Sequence, residues 1–231
     1  MSLHTATPEQ PSYRKRLGYQ AMLLGGICYM VAILIIFGDI STRDAIEKEL
    51  KQDRLDTLDQ VLPAAIYENN ILEDKVTVSA LDDSNTKITA NVATLQGVNT
   101  GFAFPIVGDG YSGEIEMLMG INHDGEILGV RVITHAETPG LGDKIEISKA
   151  EWIKSFDGHS LANTPKKDWA VVKDGGKFDQ FAGATITPRA VVAAVYSGLQ
   201  LYEKKRDEFN YIAPVSEGAV ESNDDVVAKN E

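Results

Sequence analysis

A run of small residues leads directly into a helical pattern at Thr185, whose hydroxyl could carry a phosphate-linked group. In the stretch FAGATITPRAVV (181–192), Gly183 and Ala184 precede the threonine, so that no large side chain shields it. The start of a helix offers unpaired N–H groups and a partial positive charge, which together suit a phosphate. An ordinary capped helix start fits the same residues, and the stretch alone does not decide between the two.

A second glycine-containing stretch, HAETPGLGDK (135–144), follows a predicted strand. Pro139 fixes one backbone dihedral angle, whereas Gly140 and Gly142 allow conformations that are closed to other residues. The backbone amides of such a loop can approach a flat or anionic ligand closely. A tight turn without a ligand is the alternative for these residues.

Several other kinds of site do not fit the sequence. The stretch around Thr185 lacks the lysine of a phosphate-binding P-loop. It also lacks the G-x-G-x-x-G pattern that binds dinucleotides. No base can be assigned to activate its hydroxyl, so we predict no catalytic residue. The four histidines lie far apart and the single cysteine has no partner, so we predict no metal site. A net charge of −12 argues against nucleic acid as a partner.

These stretches must be positioned by a domain that follows a candidate membrane span. Residues 17–38 contain no charged residue, and about 20 apolar residues in a helix cross the hydrocarbon core of a bilayer. Arg14, Lys15 and Arg16 precede the span and acidic residues follow it, which predicts a cytoplasmic N-terminus (residues 1–16) and an external C-terminal part. The alternative is a cleaved secretory signal, although the apolar run is longer than that of a signal and lacks a clear small-residue cleavage site.

The external part is predicted to begin with a helical stalk, residues 39–70, and to end with an acidic mobile tail, residues 207–231. The stalk helix covers 41–62 and stops before Pro63. Between the stalk and the tail, residues 71–206 are predicted to form one domain.

Within this domain the patterns predict a sheet of short strands followed by helices. The strands have β-branched or alternating apolar residues and read DKVTVSAL, TKITANVA, GFAFPIVG, EIEMLMGI and EILGVRVITH, the last two joined as a hairpin by HDG. A short helix is predicted at 148–157. The final helix is predicted to start at Pro188, with Thr187 as its N-cap and one apolar face. The fold class is therefore α+β, with helices packed on a twisted antiparallel sheet.

Three motifs of this chain together resemble those of one family. The stretch DQFAGATITPRAVV (179–192) resembles the flavinylation motif of the G subunit of the Rnf electron-transport complex, and ETPGLG (137–142) and GYSGEI (110–115) are similar to that family's other two signatures. The single N-terminal span before an external domain also fits, so that the resemblance covers most of residues 14–206.

The resemblance implies that FMN is covalently bound through a phosphoester to Thr185. It also implies that a separate flavin transferase attaches the FMN from FAD and recognises the motif through Asp179. Glu137 is expected to bias the protonation or the redox potential of the flavin, whereas its alternative is a solvated loop carboxylate. The implied cofactor-binding residues are Thr185, Gly183, Ala184, Ile186, Thr187, Glu137, Thr138, Pro139, Gly140, Leu141, Gly142, Tyr111 and Ser112.

The function that the resemblance implies is electron transfer by a membrane-anchored subunit of an Rnf-type ion-translocating ferredoxin:NAD oxidoreductase. Its partners are then the other membrane and peripheral subunits, the flavin transferase and membrane lipid. The chain alone is expected to have no turnover, because it lacks iron–sulfur ligands and a nucleotide-binding fold. Expected localisation is the inner membrane, with the main domain periplasmic. Two alternatives are the C subunit of the sodium-pumping NADH:quinone reductase and a scaffold domain without a redox role.

Overall fold

The computed structural model describes residues 17–81 and 86–210. The predicted cytoplasmic N-terminus, residues 82–85 and most of the predicted tail, 211–231, lie outside the described residues. The chain divides into two compact units, residues 1–53 and residues 54–231.

The described residues of the first unit are helical, and their helix continues into the first residues of the second unit. Helix α1, Leu17–Asp59, has 43 residues and covers both the predicted span and most of the predicted stalk helix. Its N-terminal part is long and apolar enough to cross a membrane by length and composition. After the apolar run, the Thr42 hydroxyl donates to the Gly38 carbonyl oxygen at 2.9 Å, and Arg43 donates to Asp39 one turn earlier at 2.8 Å.

The second unit is built on a five-stranded antiparallel sheet in which the strand order follows the chain order. The strands are β1 Lys75–Ser79, β2 Lys87–Leu95, β3 Val98–Asp109, β4 Glu114–Asn122 and β5 Ile127–Thr134. The predicted β4–β5 hairpin is present, with Met119 opposite Val130 in the register. Because every connection joins neighbouring strands, the sheet needs no crossover.

One face of the sheet is covered by helix α2, Ile186–Phe209. The alternating pattern of β4 places four apolar side chains toward this helix, and all four are buried: Ile115, Met117, Met119 and Ile121. The predicted apolar face of the helix is buried as well: Val191, Val192, Val195, Leu199 and Tyr202. At Gly198 a Cβ would lie 2.6 Å from the Met119 methyl carbon and 2.9 Å from a methyl carbon of Ile106, so that a side chain there would force these side chains to shift.

The opposite face is covered by the last residues of α1 and the segment that follows them. Leu58, Val61 and Leu62 pack with Ile71 against the small residues of β2 and β3 in a second apolar cluster. At Gly120 of β4 a Cβ would lie 2.7 Å from the Val61 carbonyl carbon, which shows how closely this backbone crosses the sheet.

Between β5 and α2 the chain forms short 3-10 helices that are held together by aromatic contacts. The helix predicted at 148–157 is one of them, Glu151–Phe156. Its Trp152 ring packs edge-on against Phe181, with the ring centroids 5.1 Å apart, and Trp169 packs with Phe178 at 5.4 Å. Both indole rings therefore pack against other aromatic side chains of the domain. The observed sheet and helices confirm the predicted α+β class.

Candidate functional site

Helix α2 begins at Ile186, so that Thr185 stands immediately before its first turn. The predicted start at Pro188 with Thr187 as the N-cap is wrong. Thr187 lies inside the first turn, is fully buried, and donates its hydroxyl to a carboxylate from another segment. Pro188 is tolerated in the same turn because the first N–H groups of a helix have no intrahelical partner.

The Thr185 hydroxyl is available because the turn before it uses glycine. Gly183 has φ +82°, a conformation that side chains disfavour, and the Ala184 amide donates back to the Phe181 carbonyl oxygen at 3.2 Å. Thr185 itself is half-buried, and its side chain makes no capping hydrogen bond to the helix. The turn therefore presents a partly accessible hydroxyl beside the first amides of a helix.

The three sequence motifs meet around one cavity of about 380 Å³ at this helix start. This volume lies within the range of small-molecule sites, about 300–1,000 Å³. Ten described residues line it: Tyr111, Glu137, Thr138, Leu141, Gly142, Gly183, Ala184, Thr185, Ile186 and Thr187. The other three residues implied by the resemblance, Ser112, Pro139 and Gly140, are not among the lining residues.

Glu137 connects the three segments. It is only 5% exposed, and its Oε1 accepts the backbone amides of Tyr111 at 2.8 Å and Ser112 at 3.0 Å. Its Oε2 accepts the hydroxyl of Thr187. The alternative of a solvated loop carboxylate is therefore wrong. Ser112 does not line the cavity, and its backbone amide is linked to the cavity wall through this bond to Glu137.

Two glycines make room for this carboxylate. A Cβ at Gly110 would lie 2.5 Å from Glu137 Oε1, and a Cβ at Gly142 would lie 2.7 Å from Oε2 and 2.9 Å from the Thr187 hydroxyl. Gly142 thus packs directly on the hydrogen bond between Glu137 and Thr187. These two positions require glycine because a side chain would collide with the Glu137 carboxylate. The sequence motifs alone do not reveal this steric reason.

The loop around Glu137 is held by two further polar contacts. The Glu137 amide donates to His135 Nδ1 at 3.0 Å, and His135 Nε2 lies 2.8 Å from Glu146 Oε1. His135 is thus a satisfied histidine, with a proton on Nε2 shared with Glu146. This hydrogen bond, together with one from Ser148, holds the pKa of Glu146 below its usual value. Asp143 accepts the Gly140 amide at 2.8 Å and fixes the other end of the loop.

Other residues of the flavinylation motif lie outside the cavity lining. Arg189 forms a two-pronged contact with Asp174, at 2.5 Å and 2.7 Å, so that its guanidinium is directed to another loop. This contact lowers the pKa of the Asp174 carboxyl and raises that of Arg189. Asp179 is exposed, and its carbonyl oxygen accepts the Trp152 indole N–H at 2.8 Å.

The chemistry available at this site is binding of an anionic group by a hydroxyl and helix amides. Among the described residues that line the cavity, Glu137 is the only carboxylate, and both of its oxygens already accept hydrogen bonds. The hydrogen bonds described for Glu137 go to Tyr111, Ser112 and Thr187, and none of them joins it to the Thr185 hydroxyl. The described residues also contain no cluster of histidine, cysteine or acidic side chains that could hold a metal ion.

Comparisons with known proteins identify similar chains. Residues 110–200 match a family model described as FMN-binding domain. A protein of Stutzerimonas stutzeri, named as the G subunit of the ion-translocating oxidoreductase complex, is 47% identical over 194 residues, 84% of each chain. The protein of the same name from Cereibacter sphaeroides strain ATCC 17029 is 44% identical over 84% of this chain and 87% of its own. The crystal structure of NqrC from Shewanella oneidensis has 23% identity, covers 64% of this chain and 71% of that one, and gives a TM-score of 0.43.

Proposed function

Because this chain belongs to the family of G subunits of ion-translocating oxidoreductase complexes, we propose that it is the Rnf-type electron-transfer subunit and carries FMN covalently on Thr185. The observation that supports this most is the cavity in which the three motifs converge on a half-buried threonine hydroxyl. Curated relatives at 40–47% identity are named as the G subunit, which favours this assignment over the C subunit of NADH:quinone reductase.

The residues present fit an FMN phosphate at Thr185 better than at either other threonine of the cavity. The hydroxyl of Thr187 is buried and donated to Glu137, whereas Thr138 belongs to the ETPGLG loop and not to the N-terminus of a helix. Only Thr185 stands directly before the first turn, where amides of a helix stabilise an anion by about 0.3–2 kcal/mol. The bound FMN would supply an isoalloxazine ring that accepts and donates electrons.

Attachment requires an external enzyme in this proposal, because no described residue that lines the cavity is hydrogen-bonded to the Thr185 hydroxyl as a base: the carboxylate of Glu137 is bonded to Tyr111, Ser112 and Thr187 instead. A flavin transferase would join the threonine oxygen to the FMN phosphorus of FAD, break the phosphoanhydride bond, and release AMP and the hydroxyl proton. Asp179 is the first residue of the motif, and it is exposed and accessible for recognition by such an enzyme. Gly183 and Ala184 leave the approach to the hydroxyl open.

The proposal also includes the setting of the domain. Helix α1 would anchor the chain in the inner membrane with the N-terminus in the cytoplasm, so that the FMN domain lies on the periplasmic side. Electrons would pass to and from other subunits of the complex, while this chain alone turns over no substrate. Its single cysteine cannot form the ligand set of an iron–sulfur cluster.

The decisive experiment is the intact mass of the full chain after co-expression with a flavin transferase. We expect an increment of one FMN less water, located on the peptide that contains Thr185, and its loss in Thr185→Ala. Thr138→Ala is the matched control, because it removes another hydroxyl that lines the same cavity and should keep the increment. An unmodified wild-type chain would refute the proposal and favour the scaffold alternative.

A further inference from the structure

The wall of the cavity contains a buried negative charge with no positive partner among the described ion pairs. Glu137 is 5% exposed and lines the cavity, and the ion pairs of the described residues do not include it. Its carboxylate is stabilised by two backbone amides and one hydroxyl instead. Because Glu137 is buried, its charge acts on its neighbours more strongly than a charge in water does.

The hydrogen bonds fit the charged form of Glu137. Oε1 receives two amide N–H groups, which can only donate, and Oε2 receives the hydroxyl of Thr187. A carboxylate accepts all three hydrogen bonds as they stand, whereas a carboxylic acid would keep them only if the Thr187 hydroxyl turned to accept its hydrogen. The same contacts prevent the side chain from rotating away, since both oxygens are held.

We propose that Glu137 lowers the redox potential of the cofactor in addition to holding the cavity wall in position. This inference rests on the proposed function, in which FMN occupies the cavity. The flavin ring acquires one negative charge when it takes up two electrons and one proton, and a second proton neutralises it. A fixed negative charge beside the ring opposes the singly charged reduced form. Glu137 therefore shifts the equilibrium toward oxidised FMN and lowers the midpoint potential.

The substitution Glu137→Gln separates this electrostatic role from the structural role of Glu137 in joining the Tyr111 loop to helix α2. Glutamine keeps a carbonyl oxygen for the amides of Tyr111 and Ser112, and its NH₂ group can donate to the Thr187 hydroxyl, which then turns to accept. Shape and hydrogen bonds are conserved while the charge is removed. Glu137→Asp is the complementary variant, because it keeps the charge and shortens the side chain.

A suitable control removes one negative charge at a position outside the cavity. Glu73 is exposed in the loop before β1, and Glu73→Gln alters the net charge of the chain as Glu137→Gln does. Because exposed charges are screened by water and salt, its removal should leave the flavin potential unchanged.

The experiment is a redox titration of the flavinylated full chain in detergent, with dithionite as reductant and the flavin absorbance as readout. Intact mass first verifies one FMN per chain in each variant. At a fixed ambient potential, we expect Glu137→Gln to raise the ratio of reduced to oxidised FMN at least about tenfold, which is the scale of one charge interacting across a partly buried site. Glu137→Asp should lie closer to the wild type, and Glu73→Gln should match it.

The outcomes distinguish the two proposals. If the wild type carries no FMN, the proposed function fails. If Glu137→Gln carries FMN at the wild-type potential, the proposed function stands and the potential-setting role of Glu137 is refuted. If Glu137→Gln remains unmodified whereas Glu137→Asp is modified, the charge is needed for attachment instead, which also contradicts the inference.

Discussion

Gly142→Ala tests whether the contact between the ETPGLG loop and helix α2 is as close as the structure indicates. Gly142 has φ −86° and ψ −21°, which alanine adopts without strain, so that any loss of stability must come from the methyl group. That methyl carbon would lie 2.7 Å from Glu137 Oε2 and 2.9 Å from the Thr187 hydroxyl. Neither atom can retreat easily, because both are buried and bonded to each other.

The expected magnitude follows from two costs and one gain. Overpacking costs about 1–3 kcal/mol, and weakening the buried bond between Glu137 and Thr187 adds about 1 kcal/mol. Replacing glycine stabilises by about 0.4–1 kcal/mol, because the unfolded chain loses conformational freedom. The free energy of unfolding should therefore fall by about 2 kcal/mol, which lowers Tm by about 4–8 °C for a domain of this size.

The assay is thermal unfolding of the full chain in detergent, followed by near-ultraviolet circular dichroism, together with the extent of FMN attachment. Gly140→Ala is the matched control from the same loop: it has φ +79° but open space around its Cβ position. It should lose about 1 kcal/mol through backbone strain and keep full FMN attachment, whereas Gly142→Ala should lose part of it. A Gly142→Ala chain as stable as the wild type would refute the close contact.

Three further predictions concern residues outside this contact. Gly120→Ala should cost at least about 3 kcal/mol of unfolding free energy, because its methyl group meets the Val61 backbone rather than a side chain that can move; wild-type stability in urea would contradict this. Glu146→Gln should make the free energy of unfolding depend less on pH at acid pH. The hydrogen bond with His135 lowers the pKa of Glu146, so the wild type has this added stability above pH 4.5 and loses it as the pH falls through the lowered pKa. The urea midpoint of the wild type should therefore exceed that of Glu146→Gln at neutral pH, and the two midpoints should converge at low pH. Arg189→Ala should leave the intact-mass increment of FMN unchanged, because its guanidinium is directed away from the cavity; loss of the increment would assign it to the site.

The sheet and the buried face of α2 could be predicted from the sequence because their signals are local. Alternation along β4 and the three-and-four spacing along α2 identify buried positions without reference to any other segment, and Met119 and Val195 are both buried as expected. The continuity of α1 through Gly38 is less evident from the sequence, since glycine lowers helix propensity without preventing a helix.

The predicted start of α2 is wrong because a distant contact decides it. Local capping preferences favour Thr187 before a proline, but its hydroxyl bonds to Glu137, which lies 50 positions earlier in the chain. With that hydroxyl engaged, the helix extends back to Ile186 and leaves Thr185 at the mouth of the cavity. The motifs indicate which residues form the candidate site, whereas the bonds that assemble it join separate segments and have no signature in any one of them.

The chain-ordered sheet has a consequence for the timing of maturation. Successive hairpins can close as the polypeptide emerges, since each strand pairs with its immediate predecessor. The pocket, in contrast, needs α2, the last regular element described, to dock on β3 and meet the Tyr111 loop. If, as proposed, an enzyme attaches FMN to Thr185 in the assembled pocket, it would act only on molecules in which α2 has docked, and the bound cofactor would then mark folded protein.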